Sequence, residues 1–176
     1  HFGYRRQRQM CIRDSILGDA VGVIASTDPF DASVFAACSN LRVIARTGVG
    51  VDAVDLDAAT SAGVVVATTP GANGEAVADH ALAMILALQR RLSENDAAIR
   101  DGRWDRAGTL TPSDLYGATV GLVGSGAIGR AVIRRLKAFG SSVIVHDPYL
   151  DTAPEGCELV DLDTLLAHSD VLTVHA

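Results

Sequence analysis

Cysteine is scarce in this chain. The three present among 176 residues, Cys11, Cys38 and Cys157, are odd in number, widely spaced and without a C-x-x-C pair. That pattern excludes a disulfide framework and a cysteine-built metal site, and it points to reduced thiols in a cytoplasmic protein. Positive charge is also short, with 15 Lys and Arg against 21 Asp and Glu for a net charge of −6. Binders of a phosphate backbone depend on clustered Lys and Arg, so nucleic acid is excluded as a partner. Long apolar runs are missing too. The densest stretch, Ala76 to Leu88, is interrupted by Asp79 and His80. It falls short of the ~18 apolar residues that a membrane span needs, so no membrane partner is expected.

What the chain does have is core-forming material, with 48% hydrophobic and 20% charged residues, the composition of a soluble globular protein. The first 15 residues, HFGYRRQRQMCIRDS, stand apart. They show no apolar periodicity, and four Arg (Arg5, Arg6, Arg8, Arg13) face only Asp14. They read as a non-native leader, and without them the remainder carries −9. From Ala20 the pattern becomes regular. Strands are expected at Ala20 to Ala25, Leu41 to Ala45 and Val64 to Ala67, and helices at Asp31 to Cys38 and Asp55 to Ala62. Asn73 is expected to cap a helix starting near Gly74. The apolar residues of that helix, Val77, Ala81, Leu82, Met84, Ile85 and Leu88, cover most of its circumference, which predicts burial between layers or domains. A polar helical continuation follows over Ser93 to Arg100, then a loop from Arg103 to Ser113. Strands alternating with helices through short connections predict an α/β fold with parallel sheets.

The most informative stretch is TVGLVGSGAIGRAVIRRLKAFGSSVIVHD, from Thr119 to Asp147. Thr119 to Val123 is a short apolar run suited to a strand buried on both faces. Gly124, Gly126 and Gly129 follow as G-x-G-x-x-G, with Ser125, Ala127 and Ile128 between them. The first glycine allows a tight turn, the second lets a pyrophosphate approach the backbone, and the third lets helix and strand pack closely. The helix from Ala127 to Phe139, stopped by Gly140, points its free N–H groups and positive dipole end at that anion. A strand over Ser142 to His146 then delivers Asp147, 18 residues after Gly129, where a carboxylate accepts hydrogen bonds from an adenosine ribose. The same carboxylate repels a 2′-phosphate, and no Arg follows closely to neutralise one, so NAD is expected rather than NADP. Asp161 can cap a helix running to His168, and Asp170 to His175 begins a further buried strand. The strands near 119, 142 and 171 are expected to form one mononucleotide-binding half, with the second half absent.

A second loop, Gly48-Val49-Gly50-Val51-Asp52-Ala53, fits G-x-G-x-x-A and competes for the dinucleotide. Asp52 places a carboxylate in that loop, and the next strand ends in Thr68-Thr69-Pro70 without an acid. The loop is better read as backbone N–H groups facing a smaller anion such as a substrate carboxylate, or as a turn imposed by sterics. Arg46 is the one cation beside it in sequence, placed to assist the carboxylate or to form a surface ion pair.

Taken together, the segments LRVIARTGVGVDAVDLDAATSAGVVV, TPGANGEAVADHALAMILAL, IRDGRW, LYGATVGLVGSGAIGRAVIRRLKAFGSSVIVHDPY and DVLTVHA resemble the D-isomer-specific 2-hydroxy acid dehydrogenases, and the phosphoglycerate dehydrogenase branch above all. The likeness runs from about Ala20 to Ala176. It implies a flavodoxin-like substrate domain, partial here over 16–73, and the first half of a Rossmann NAD-binding domain over 74–176, incomplete at its C-terminus, with the active site enclosed between them. It implies that Ala127 and Ile128 lie over the NAD pyrophosphate and that Asp147 holds the ribose. Val49 and Gly50 would offer backbone contacts to substrate and nicotinamide, and Ala176 would border the adenine. Substrate would be a small 2-hydroxy or 2-oxo acid, and the full-length protein a homodimer.

Ala53, Gly74 and Ala127 depart from the family, which often has Asn, a hydroxyl residue and a basic residue there. The resemblance also implies a catalytic Arg, Glu and His beyond Ala176, so the chain is expected to be an inactive fragment with no catalytic residue of its own. A structural or solvent role is expected for each of its five His. The alternative is a non-catalytic, corepressor-like NAD sensor on the same fold. Another Rossmann enzyme, such as an adenosylhomocysteine hydrolase, lacks its own substrate residues here.

Overall fold

The computed structural model describes residues 17–104 and 111–175. The leader at 1–15, the middle of the Arg103–Ser113 loop and Ala176 lie outside the described residues. The chain divides between Ala72 and Asn73 into two compact units, each α/β with a wholly parallel sheet.

The first unit holds β1 (Gly22–Ala25), α1 (Ala32–Ala37), β2 (Val43–Arg46), α2 (Leu56–Ser61) and β3 (Val65–Ala67), in sheet order β1-β2-β3. The Asp31 carboxylate accepts from the N–H groups of Ser33 and Val34 to start α1, and Asp55 accepts from Ala58 to start α2. Gly63, at φ 70°, closes α2 and turns the chain into β3. Alternate strand residues face the helices, so Ala25 and Ile44, with Val64 just ahead of β3, join Phe30, Val34, Phe35 and Leu41 in one core. β2 runs one residue past its expected end, and carries Arg46 at its C-terminus.

The second unit holds α3 (Gly74–Gln89), α4 (Leu92–Arg100), β4 (Thr119–Val123), α5 (Ala127–Ala138), β5 (Ser142–His146), β6 (Glu158–Leu159), α6 (Leu162–His168) and β7 (Val171–Val174). Its sheet order is β6-β5-β4-β7. The third strand on the β5 side is therefore the two-residue β6, and the strand near 171 pairs with the opposite edge of β4. The expected trio of 119, 142 and 171 is corrected in that respect. Glu158–Leu159 escaped notice because two residues carry no periodicity. The order reverses at β4, which makes the carboxyl end of this strand a topological switch point, where open parallel sheets bind ligands.

Val120, Leu122, Val132, Leu136 and Val145 are fully buried between β4, β5 and α5. Each such side chain contributes roughly 1.5–3 kcal/mol by leaving water. On α5 the residues at this spacing, Ala131, Val132, Ile133 and Leu136, are buried while Arg134 and Lys137 face out. α3 packs on α5 through Ala78, Ala81, Leu82 and Ile85. Across its rim Glu75 accepts from Arg134 at 2.6 Å and from Arg135 at 2.9 Å, and Asp79 pairs with Arg135 at 2.6 Å.

Three expectations are corrected along these helices. α3 is buried on one face only, since Met84 and Leu88 remain 51% and 78% exposed with nothing from the described residues over them. Asn73 occupies the cap position of α3 without a side-chain cap; its backbone carbonyl accepts from Val77 at 2.9 Å instead. The polar continuation is a separate helix, because Arg91 adopts φ 50° between α3 and α4. Among the described residues no helix is long and apolar enough to cross a membrane.

Candidate functional site

The glycine turn between β4 and α5 is built by contact distances. Gly124 sits at φ 85°, a conformation that L side chains rarely adopt. A Cβ on Gly129 would lie 2.3 Å from the Gly124 carbonyl oxygen and 3.3 Å from Leu122, so only glycine lets α5 approach the strand this closely. Gly126 is different. A Cβ there would have nothing within 4 Å, and the residue caps α5 with no side-chain hydrogen bond. The first intrahelical bond runs from Arg130 N–H to the Gly126 carbonyl at 3.0 Å. The N–H groups of Ala127, Ile128 and Gly129 precede it and have no acceptor within the helix. No acidic residue occupies that first turn.

Asp147 stands directly beside this turn. One carboxylate oxygen accepts from the Ser125 N–H at 2.8 Å and the other from the Tyr149 N–H at 3.0 Å. These two backbone bonds, first that of Ser125, hold the Asp147 carboxyl below the usual Asp range, with the Arg130 guanidinium adding positive charge nearby. The group is a fixed anion and an acceptor only. Arg130 was not foreseen. Its Nη1 donates to the Ser125 carbonyl at 3.1 Å, so Ser125 is held at its N–H by a carboxylate and at its carbonyl by a guanidinium. The signal that could have found it is a basic residue directly after the third glycine, in a motif whose Ala127 supplies no cation. Ser125 itself is 1% exposed, and its hydroxyl has no partner.

These features fit a dinucleotide. Open space at Gly126 and unsatisfied helix N–H groups suit a pyrophosphate, and an acceptor-only carboxylate suits ribose hydroxyls. The structure brings Gly124, Ser125, Gly126, Ala127, Ile128, Gly129 and Asp147 together in the second unit. Ala176 lies outside the described residues.

In the first unit, Arg46, Val49 and Gly50 share one turn. The Arg46 Nε donates to the Gly50 carbonyl at 3.0 Å, while its Nη1 is enclosed without a partner. Arg46 forms no ion pair among the described residues. Its backbone carbonyl accepts from the Thr69 hydroxyl at 3.5 Å, and the Gly48 carbonyl accepts from Thr69 N–H at 3.2 Å. The exit of β3 therefore braces the turn. Val49 is 52% exposed. Asp52 stays close to the turn, since a Cβ on Gly50 would lie 3.0 Å from its carboxylate. The loop thus holds one cation and one carboxylate close together, an environment suited to a small polar acid more than to a pyrophosphate.

The described histidines are occupied elsewhere or open to solvent. His146 Nδ1 bonds the Val160 carbonyl at 3.1 Å, His168 Nδ1 the Thr164 carbonyl at 2.8 Å, and His175 Nε2 the Thr173 hydroxyl at 2.9 Å; His80 is exposed. Among the described residues no three His, Cys, Asp or Glu side chains cluster to hold a metal.

Residues 82–176 match the family model described as the D-isomer specific 2-hydroxyacid dehydrogenase, NAD binding domain. The chain is 43% identical over 156 residues to a D-3-phosphoglycerate dehydrogenase of Mycobacterium bovis, covering 87% of this chain and 29% of that protein. It is 42% identical over 155 residues to a glyoxylate reductase of Korarchaeum cryptofilum, covering 85% of this chain and 47% of that protein. In structure it is similar to D-lactate dehydrogenase from Aquifex aeolicus complexed with NAD and lactic acid, with a TM-score of 0.82 and 29% identity over 93% of this chain and 50% of that one. The chain therefore spans half or less of the length of these relatives.

Proposed function

As the chain belongs to the D-isomer specific 2-hydroxyacid dehydrogenase family, whose NAD-binding domain it matches over residues 82–176, we propose that its parent protein is an NAD-dependent oxidoreductase of small D-2-hydroxy acids and their 2-oxo counterparts. The relatives named for phosphoglycerate, glyoxylate and lactate differ in the rest of the molecule but share a carboxylate next to the reacting carbon, and that shared group defines the substrate class. NAD supplies the hydride acceptor or donor.

The residues of this chain bind and orient. The N–H groups of Ala127, Ile128 and Gly129 hold the pyrophosphate, with Gly126 giving it room, and Asp147 accepts from the ribose hydroxyls. Backbone groups of Val49 and Gly50 approach the substrate. Arg46, whose Nε holds the Gly50 carbonyl at 3.0 Å, supplies positive charge beside this turn for the substrate carboxylate. No His of this chain is assigned the hydroxyl proton, and we expect the 176-residue chain to bind without turnover. The parent pairs as a homodimer, with the α3 face bearing Met84 and Leu88 in the contact.

The observation that carries this reading is the Asp147 carboxylate bonded to Ser125 N–H at 2.8 Å beside a glycine turn whose second glycine faces open space. The test is calorimetric titration of the 176-residue chain with NAD and with 5′-AMP. Saturable binding of both at one site is expected, weakened about tenfold or more by Asp147→Asn through loss of a charge-assisted acceptor. Absence of binding to a chain that retains its circular dichroism would refute the assignment.

A further inference from the structure

We propose that Arg130 is a latent 2′-phosphate receptor and that Asp147 alone keeps this site selective for NAD. The inference rests on the NAD reading above and goes beyond it. It starts from the two ends of Ser125: the N–H is bonded to the Asp147 carboxylate at 2.8 Å, and the carbonyl to Arg130 Nη1 at 3.1 Å. A carboxylate and a guanidinium are thereby anchored to the two polar groups of a single residue, at the point where the ribose is to be held. Arg130 is exposed and spends one bond on Ser125. A guanidinium has five N–H donors in a planar fork that matches phosphate oxygens, so most of its donors stay available. It forms no ion pair among the described residues that would compete for them.

Specificity is a difference between two affinities, and a repulsive group suffices to set it. With Asp147 ionised, a 2′-phosphate would be placed against a fixed negative charge. Pro148, Tyr149 and Leu150 follow Asp147 and offer no cation to offset it. In the usual arrangement for NADP the cation sits after the second strand. Here it sits on the first turn of α5, outside the segment where a change of cofactor choice is ordinarily sought. Removing the repulsion is then enough: the receptor is already in place.

The experiment measures the ratio of affinities for 5′-AMP and adenosine 2′,5′-bisphosphate by calorimetry on the 176-residue chain. Three forms are compared: wild type, Asp147→Ser, and Asp147→Ser with Arg130→Gln. Wild type is expected to favour 5′-AMP. Asp147→Ser should move the ratio toward the bisphosphate by about ten- to hundredfold, as one new charge-assisted hydrogen bond to the phosphate would, and the shift should shrink with added salt. Adding Arg130→Gln should return most of it. A ratio unmoved by Asp147→Ser, or shifted as far in the double variant as in Asp147→Ser, overturns the proposal while leaving the NAD reading intact. Failure of the folded wild type to bind either nucleotide overturns both. Should Asp147→Ser lose its circular dichroism, the isosteric Asp147→Asn, alone and with Arg130→Gln, answers the same question.

Discussion

Two glycines three residues apart predict opposite failures, and the pair separates packing from binding. A Cβ at Gly129 would stand 2.3 Å from the Gly124 carbonyl oxygen and 3.1 Å from its carbonyl carbon. Both are backbone atoms, so no side chain can rotate away. α5 would have to retreat by about 1 Å to reach ordinary contact. Overpacking of this kind costs roughly 1–3 kcal/mol, and rigid neighbours favour the upper end. Replacing a helical glycine with alanine returns about 1 kcal/mol. The net destabilisation for Gly129→Ala is therefore about 2 kcal/mol, a Tm loss on the order of 8–15 °C for a unit of this size. At Gly126 the same Cβ meets nothing within 4 Å, and φ is −67°. Gly126→Ala should stay within about 0.5 kcal/mol of wild type, as for substitutions that touch no packed atoms. Its methyl group would instead occupy the space through which a pyrophosphate approaches, and NAD affinity should fall about tenfold or more. Urea denaturation followed by circular dichroism, run beside NAD titration, reads both quantities. If Gly126→Ala proves the less stable, or Gly129→Ala unfolds no earlier than wild type, the contact argument is wrong.

Three further outcomes are expected. Ser125→Ala removes a buried hydroxyl that lacks a partner, so the variant should match or exceed wild-type stability in urea, whereas most buried polar-to-Ala changes lose it. Asp147 is held below its unfolded value, so its contribution is fully present above the unfolded pKa of about 3.9 and is lost as pH falls through the depressed folded value. NAD affinity depends on the folded carboxyl alone, so it should stay flat from neutral pH down to the ordinary Asp value of about 3.9 and fall only below it, and Asp147→Asn should remove that acid-side fall. Gly121→Ala places a Cβ 2.0 Å from the Ser169 hydroxyl oxygen and 2.8 Å from Leu165. These side chains can yield in part, and the expected loss is about 1–3 kcal/mol, measured by urea denaturation without a matching change in cofactor selectivity.

Much of the second unit was legible in sequence because the information is local. The apolar run of β4, the three glycines, the α5 period and Asp147 each encode their own geometry, and the β5 limits fall where the residues place them. Asp161 was readable for the same reason, since its carboxylate accepts from the Thr164 N–H three residues on, at 2.8 Å. What stayed hidden depends on partners brought from afar or on choices that sequence leaves open. β6 is ordered by pairing with β5, not by its own two residues. Asn73 has the right side chain for a cap, but at φ −109° and ψ 5° its backbone leaves that side chain unused. Arg91 breaks one apparent helix into two with a left-handed backbone that no nearby glycine announced. The apolar circumference of α3 overstated its burial, because hydrophobicity records what a surface favours and not what covers it. Arg130 went unnoticed as an ordinary surface residue of an amphipathic helix. The bond it makes depends on the turn bringing the Ser125 carbonyl within its reach.

The contact between the Gly124 carbonyl and Gly129 also acts as a ruler. It ties the first glycine of the motif to the third across the mouth of the turn. The number of residues between them is fixed by that span, while the side chains at 125, 127 and 128 are not. An inserted or deleted residue would put β4 and α5 out of step and rotate the helix face bearing Val132 and Leu136 away from the sheet. A change of side chain at 127 leaves the span untouched. The length of this segment is held by geometry, while its chemistry at 127, an exposed position at the start of α5, is not.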